Sequence, residues 1–150
     1  MNSWQIMILN NGNPANRPDP LLTRNQPMSH TTLHDQIDVV ESGYEFLLAY
    51  AAQGRDDDRS GSGTSEVRDV LGGMADAARS IRAALQNDDH EFSAVVTDDA
   101  RKSLAAISLV LEQDKISSEL IDNLNASIHL RALLTDLFLL SEVRYGTECQ

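Results

Sequence analysis

Apolar positions along this chain recur at intervals of three and four, the period of helices that bury one face. Leu33, Ile37, Val40, Tyr44, Leu47 and Ala51 form one such seam. Val67, Leu71, Met74, Ala78, Ile81 and Leu85 repeat it, and Ala100, Leu104, Ile107 and Leu111 carry a third. The same alternation of three and four sets the core stripe of helical bundles. It predicts a first helix over 33–53, capped by Thr32 and stopped at Gly54, and a second over 65–86. The third reaches Glu112 and carries two start signals. The segment 90–96 reads as a short turn or as its first residues, and Thr97-Asp98-Asp99 offers a second cap.

The longest and most apolar pattern runs from Lys115 to Gly146 and reads as one helix, about 40 Å long at the standard rise. Ser117 suits its N-cap and Ile116 can pack on Ile121 across the cap. Arg144 and then Gly146 mark its end. Leu130, Leu133, Leu134, Leu137 and Leu140 make one broad stripe on it, whereas Phe138 and Leu139 point off that stripe. In the second helix, Gly72-Gly73 costs about 1 kcal/mol per glycine relative to alanine. A tight helix crossing is the expected compensation.

The segments between these patterns differ in kind. All four prolines fall within residues 1–29, together with the turn cluster Asn10-Asn11-Gly12-Asn13-Pro14 and a short apolar run from Trp4 to Leu9. Trp4 either covers a core edge or docks on a partner. Arg55 to Gly63 is charged, then Gly/Ser-rich, and reads as a solvated linker with nothing to bury. The expected fold is therefore all-α: an antiparallel four-helix bundle-like domain over 30–150, with a flexible Pro/Asn-containing arm over 1–29.

Charge narrows the partners. With 23 acidic against 12 basic residues, the formal charge is −11. That argues against nucleic-acid phosphates and anionic lipid, and favours a basic protein partner. Aromatics make up only 5% of the chain, so aliphatic side chains must fill the core. Cys149 is the single cysteine, which leaves neither an intramolecular disulfide nor a thiolate zinc cluster. No apolar run reaches the roughly 18 residues of a membrane span, Arg131 and Asp136 interrupting the best one. The first residues lack the basic start and apolar run of a signal peptide, so the expected location is cytoplasmic, away from membranes.

Candidate chemistry is sparse. A di-metal carboxylate bundle needs Glu-x-x-His on two helices, and the sequence contains none. The first helix carries a polar stripe of His34, Asp38, Glu41 and Glu45, and His30 stands four residues before His34. Neither reading yields a metal site or a cofactor. There is no Gly-x-Ser-x-Gly and no phosphate-binding Gly-x-x-x-x-Gly-Lys. His129 lies beside the apolar stripe and reads as a hydrogen-bonded, partly buried histidine.

Leu33-His34-Asp35, opening a helix followed by a second amphipathic helix, resembles the phospho-accepting hairpin of one class of sensor histidine kinases. The resemblance implies that His34 accepts phosphate and Asp35 activates it. Thr31-Thr32 replace the charged pair that precedes the triplet in that family, and Val39 stands where a polar residue would assist dephosphorylation.

The preferred functional expectation is a small, acidic, non-enzymatic protein that binds another protein as a regulator, adaptor or inhibitor. Phe138, Leu139 and Val143 are the expected contact residues, with Trp4 added, and the C-terminal helix is the expected homodimer contact. Two alternatives stand beside it. One is a histidine phosphotransfer protein using His34 with Asp35. The other is an acidic nucleic-acid mimic built on Asp56-Asp57-Asp58.

Overall fold

The computed structural model describes residues 30–59 and 65–145, and the regular structure there is helical, with no strand. The helices are α1 (His30–Ala51), α2 (Glu66–Leu85), α3 (Glu91–Leu111), α4 (Ser118–Ala126) and α5 (His129–Tyr145). Residue Trp4 and the rest of the 1–29 segment lie outside the described residues, as does Gly146.

Helix α1 packs on α2, α2 on α3, α3 on α5, and α5 back on α1, while the pairs α1–α3 and α2–α5 do not meet. This closed ring of four with two empty diagonals is a four-helix bundle. The short helix α4 packs on α1, α3 and α5. One aliphatic core runs through the ring, from Leu33 and Leu47 on α1, through Leu71 and Ile81 on α2, to Leu133 and Leu137 on α5. The seams predicted from spacing face inward on all four helices. In the stripe on α5, Leu130, Leu133, Leu134, Leu137 and Leu140 are all buried.

Four local expectations are corrected. The pattern over 115–146 is two helices, because Ile128 adopts φ 64° and ends α4 after Ser127. The Ser127 N–H closes α4 on the carbonyls of Asn123 and Leu124, and the Ile128 carbonyl accepts from Ala132 to open α5. A left-handed residue is usually glycine or asparagine, so a β-branched one gave no stop signal. The Ser117 cap is present, accepting from the Leu120 N–H at 3.1 Å, and Ile116 and Ile121 are both buried.

Helix α3 is continuous from Glu91, with the His90 ring nitrogen accepting from the Phe92 N–H at 3.1 Å. Thr97 lies inside the helix, where its hydroxyl donates to the Ser93 carbonyl. Similarly, α1 begins at His30, so Thr32 is within the helix rather than capping it.

The tight crossing is also displaced. A Cβ on Gly72 or Gly73 would meet nothing within 4 Å, whereas one on Gly43 would lie 2.5 Å from Met74 Sδ. Gly43 on α1 is thus the hole into which Met74 of α2 fits.

The fourth correction concerns the linker after α1. Asp58 is buried at 7% exposure and organises one end of the bundle. Its Oδ1 accepts from the Ile116 N–H at 2.9 Å, and its Oδ2 from Arg68 Nε at 2.7 Å. Arg68 also donates to the carbonyls of Leu111, Gln113 and Asp114, the natural place for a cation at the end of α3. Tyr50 donates to the Ile116 carbonyl at 2.6 Å, and the Ser118 hydroxyl donates to the Tyr50 carbonyl at 2.7 Å. Burial pushes the Asp58 carboxyl up, but the Ile116 N–H and the Arg68 guanidinium outweigh it and hold the group at about 2.

Candidate functional site

Helix α5 is fixed against α3 at both ends, which determines what its outer face presents. At its start, the Ser103 hydroxyl donates to the His129 carbonyl at 3.0 Å. At its end, Arg144 reaches Asp88 at 2.6 Å and the Ser93 hydroxyl at 3.1 Å. These pairs make α3 and α5 antiparallel. Arg144 and the His90 N–H hold the Asp88 carboxyl at about 2.

Between the two anchors, Asp136 of α5 meets Asp99 of α3. Burial first, and then the Asp99 carboxyl, push Asp136 up to about 6. Its Oδ2 is buried without a hydrogen-bond partner. Asp99 is itself held by Lys102 at 3.3 Å. Two neighbouring carboxyl groups ionise together only at a cost.

With its stripe buried and its ends tied, α5 turns Phe138, Leu139 and Val143 outward, at 43%, 49% and 68% exposure. Sequence spacing places Leu139 and Val143 one turn apart on one flank, with Phe138 about 100° round the helix from Leu139. Phe138 lines a groove between α5 and α1 that encloses about 490 Å³. Ser141 and Glu142 complete the α5 wall, and His34, Ile37, Asp38 and Glu41 form the α1 wall. Ile37 is buried at the base, while Asp38 and Glu142 are exposed and Glu41 half-buried.

The predicted contact residues therefore divide. Phe138 faces the α1 groove, and Leu139 and Val143 lie outside its lining. The polar stripe read along α1 forms the opposite wall of that groove through His34, Asp38 and Glu41. Its connection to Phe138 was hidden because the sequence pattern shows one helix face at a time. It follows only once α1 and α5 are neighbours.

Among the described residues, no group of three His, Cys, Asp or Glu is placed to hold a metal ion, and no helix is long and apolar enough to cross a membrane. His34 and Asp35 are both exposed on the second turn of α1. Of the Asp56-Asp57-Asp58 run, Asp58 points into the core, and Asp57 accepts from the Arg59 N–H. The run does not present one acidic face. The chain matches no protein-family model, no curated protein and no solved structure.

Proposed function

We propose that this chain is a non-enzymatic, acidic helical module that binds another protein, as a regulator, adaptor or inhibitor, through the outer face of α5. The observation that supports the reading most is the exposure of Phe138, Leu139 and Val143 on a helix whose core stripe is already filled. Each large apolar side chain is worth roughly 1.5–3 kcal/mol on full burial, so a partner that covers all three gains substantially. The bundle does not need them for its interior. Exposed large apolar side chains among polar ones are a usual mark of a protein contact site. The net charge of −11 favours a basic partner and speeds its approach.

A symmetric homodimer through α5 is the second reading. It is favoured by Leu139 and Val143, which lie one turn apart and outside the carboxylate-lined groove, so two copies can bring them together. A photo-crosslinking residue at position 139, introduced into the full chain in its native cells, tests both readings. The first expects a crosslinked partner that disappears in Phe138→Asp/Val143→Asp. The second expects a crosslinked pair of identical chains. No variant-sensitive crosslink of either kind removes the outer face of α5 as the contact site.

A further inference from the structure

The α1–α5 groove combines features that a purely apolar contact site does not need. Its apolar lining comes from buried Ile37 on α1 and exposed Phe138 on α5, and Asp38, Glu41 and Glu142 stand around them, contributed by both walls. The α1 stripe continues this acidity with exposed Asp35 at one end and exposed Glu45 at the other. From 34 to 41 the α1 wall is about 10 Å long, two helical turns.

We propose that this groove receives a cationic amphipathic helix of a partner protein, apolar side chains seating on Ile37 and Phe138 and Lys or Arg side chains meeting Asp38, Glu41 and Glu142. The proposal rests on the reading that the α5 face is a protein contact site and adds the chemistry of the partner. Charge complementarity selects the occupant. A second copy would place these three carboxylates against their own kind, which like-charge juxtaposition opposes. A small cation would satisfy the carboxylates but leave the apolar lining and the adjoining Leu139 and Val143 uncovered. An amphipathic helix matches both halves of the groove, its apolar residues at i, i+3, i+4 and i+7 facing the apolar lining and its basic residues flanking them.

The test uses the full chain and a fluorescent Lys/Leu amphipathic peptide of about 14 residues, four helical turns, read by anisotropy at low and physiological salt. Its companions are the same peptide with Gln for every Lys, and spermidine as competitor. The proposal expects the Lys peptide to bind at least roughly tenfold tighter than the Gln peptide. Asp38→Asn/Glu41→Gln/Glu142→Gln should weaken it by a similar factor and flatten its salt dependence, since each lost carboxylate removes a screened attraction. Phe138→Ala should weaken it without changing the salt dependence.

Asp69→Asn/Glu112→Gln/Asp122→Asn makes the same charge change on exposed positions elsewhere and should leave binding nearly unchanged. If this remote variant weakens the peptide equally, bulk acidity alone attracts it and the proposal is wrong. Competition by spermidine alone that is equally sensitive to the groove variant would make the groove a small-cation site, which also overturns it. Leu139→Asp/Val143→Asp separates the proposal from the reading beneath it. Loss of the crosslinked partner in that variant, with the groove variant unaffected, keeps the α5 face and discards the groove. Circular dichroism melts confirm that every variant is folded before it is compared.

Discussion

Asp58 Oδ2 lies 2.7 Å from Arg68 Nε, and that contact joins three segments of the chain. The aspartate holds the loop before α4 through the Ile116 N–H, and the arginine gathers the last carbonyls of α3 and the loop beyond it. The acid's side chain is 1% exposed and the base's 29%, so one partner is desolvated and the other keeps some water. Removing the buried partner leaves the Ile116 N–H and the Arg68 Nε–H without their acceptor. Asp58→Ala should lower stability by about 3 kcal/mol, the lower end for breaking a buried pair, and the melting temperature by roughly 10 °C. A double-mutant cycle with Arg68→Ala should give less than the sum of the single losses. Additivity would show that the two side chains act separately.

Two kinds of carboxyl set the pH profile. Asp58 and Asp88 are held at about 2 in the fold, below their ordinary 3.8. A depressed acid stabilises the fold fully above its unfolded value, and this stabilisation is lost as pH falls from about 4 to about 2. Asp136 is opposite in sign. Raised to about 6, its contribution is complete below 3.8 and is lost as pH rises through about 6. Thermal stability should therefore be greatest near pH 4, falling steeply below it and more gradually between about pH 4 and 6. Asp136→Asn keeps the neutral hydrogen-bonding form at every pH. It should raise the melting temperature at pH 7.5 by several degrees and have a clearly smaller effect near pH 4.5. An equal effect at both values would mean that Asp136 does not titrate against Asp99.

Glycine substitutions should separate the two helix positions by sign. Gly43→Ala drives a methyl into Met74 Sδ and Cγ, both within 2.6 Å of the added carbon. Overpacking of this kind costs about 1–3 kcal/mol. Gly72→Ala and Gly73→Ala add a methyl to open space within α2 and should each stabilise by about 1 kcal/mol through helix propensity. Urea denaturation of the three single variants gives the comparison directly.

The same contrast shows what the linear sequence could reveal. The buried faces of α1, α2, α3 and α5 follow from apolar spacing alone, because a helix on a bundle repeats its inward residues locally. Asp58 looked solvated because its partners, Arg68 and Ile116, are 10 and 58 residues away. Gly43 and the Gly72-Gly73 pair all read along the chain as glycines inside helices. That Gly43 is the one a side chain enters is decided by Met74, which reaches it from α2. The acidic groove is half legible: the α1 carboxylates and Phe138 each stand out along the chain, but their meeting depends on α1 and α5 being neighbours, with α4 and α5 separate helices.

The break between α4 and α5 occurs at Ile128, where a β-branched residue with 64% of its surface exposed holds φ 64°. A left-handed conformation costs a non-glycine residue roughly 1–2 kcal/mol, and the exposed side chain recovers little of it by burial. Ile128→Asn should raise stability by about 1 kcal/mol, since asparagine tolerates this conformation, without altering helix content. A loss of stability would show that the Ile128 side chain is needed where α4 meets α5.

The outer face of α5 gives the final prediction. Leu139 and Val143 lie outside the groove lining and contribute little to the core, so replacing them with aspartate should leave the fold intact. Surface substitutions away from packed or hydrogen-bonded features usually change stability by less than about 0.5 kcal/mol. Sedimentation equilibrium of the full chain at tens of micromolar then separates a self-contact from a foreign one. A homodimer through α5 should dissociate in Leu139→Asp/Val143→Asp, with helix content unchanged and a melt that no longer depends on protein concentration. A wild-type monomer would remove the dimer and reserve the face for a different partner. A wild-type dimer that survives the double substitution would locate self-association elsewhere, leaving Leu139 and Val143 free for the partner. A melt lowered by several degrees in the variant, with the wild type already monomeric, would instead make these two side chains part of the packing of α5, and the surface would lose its claim to binding.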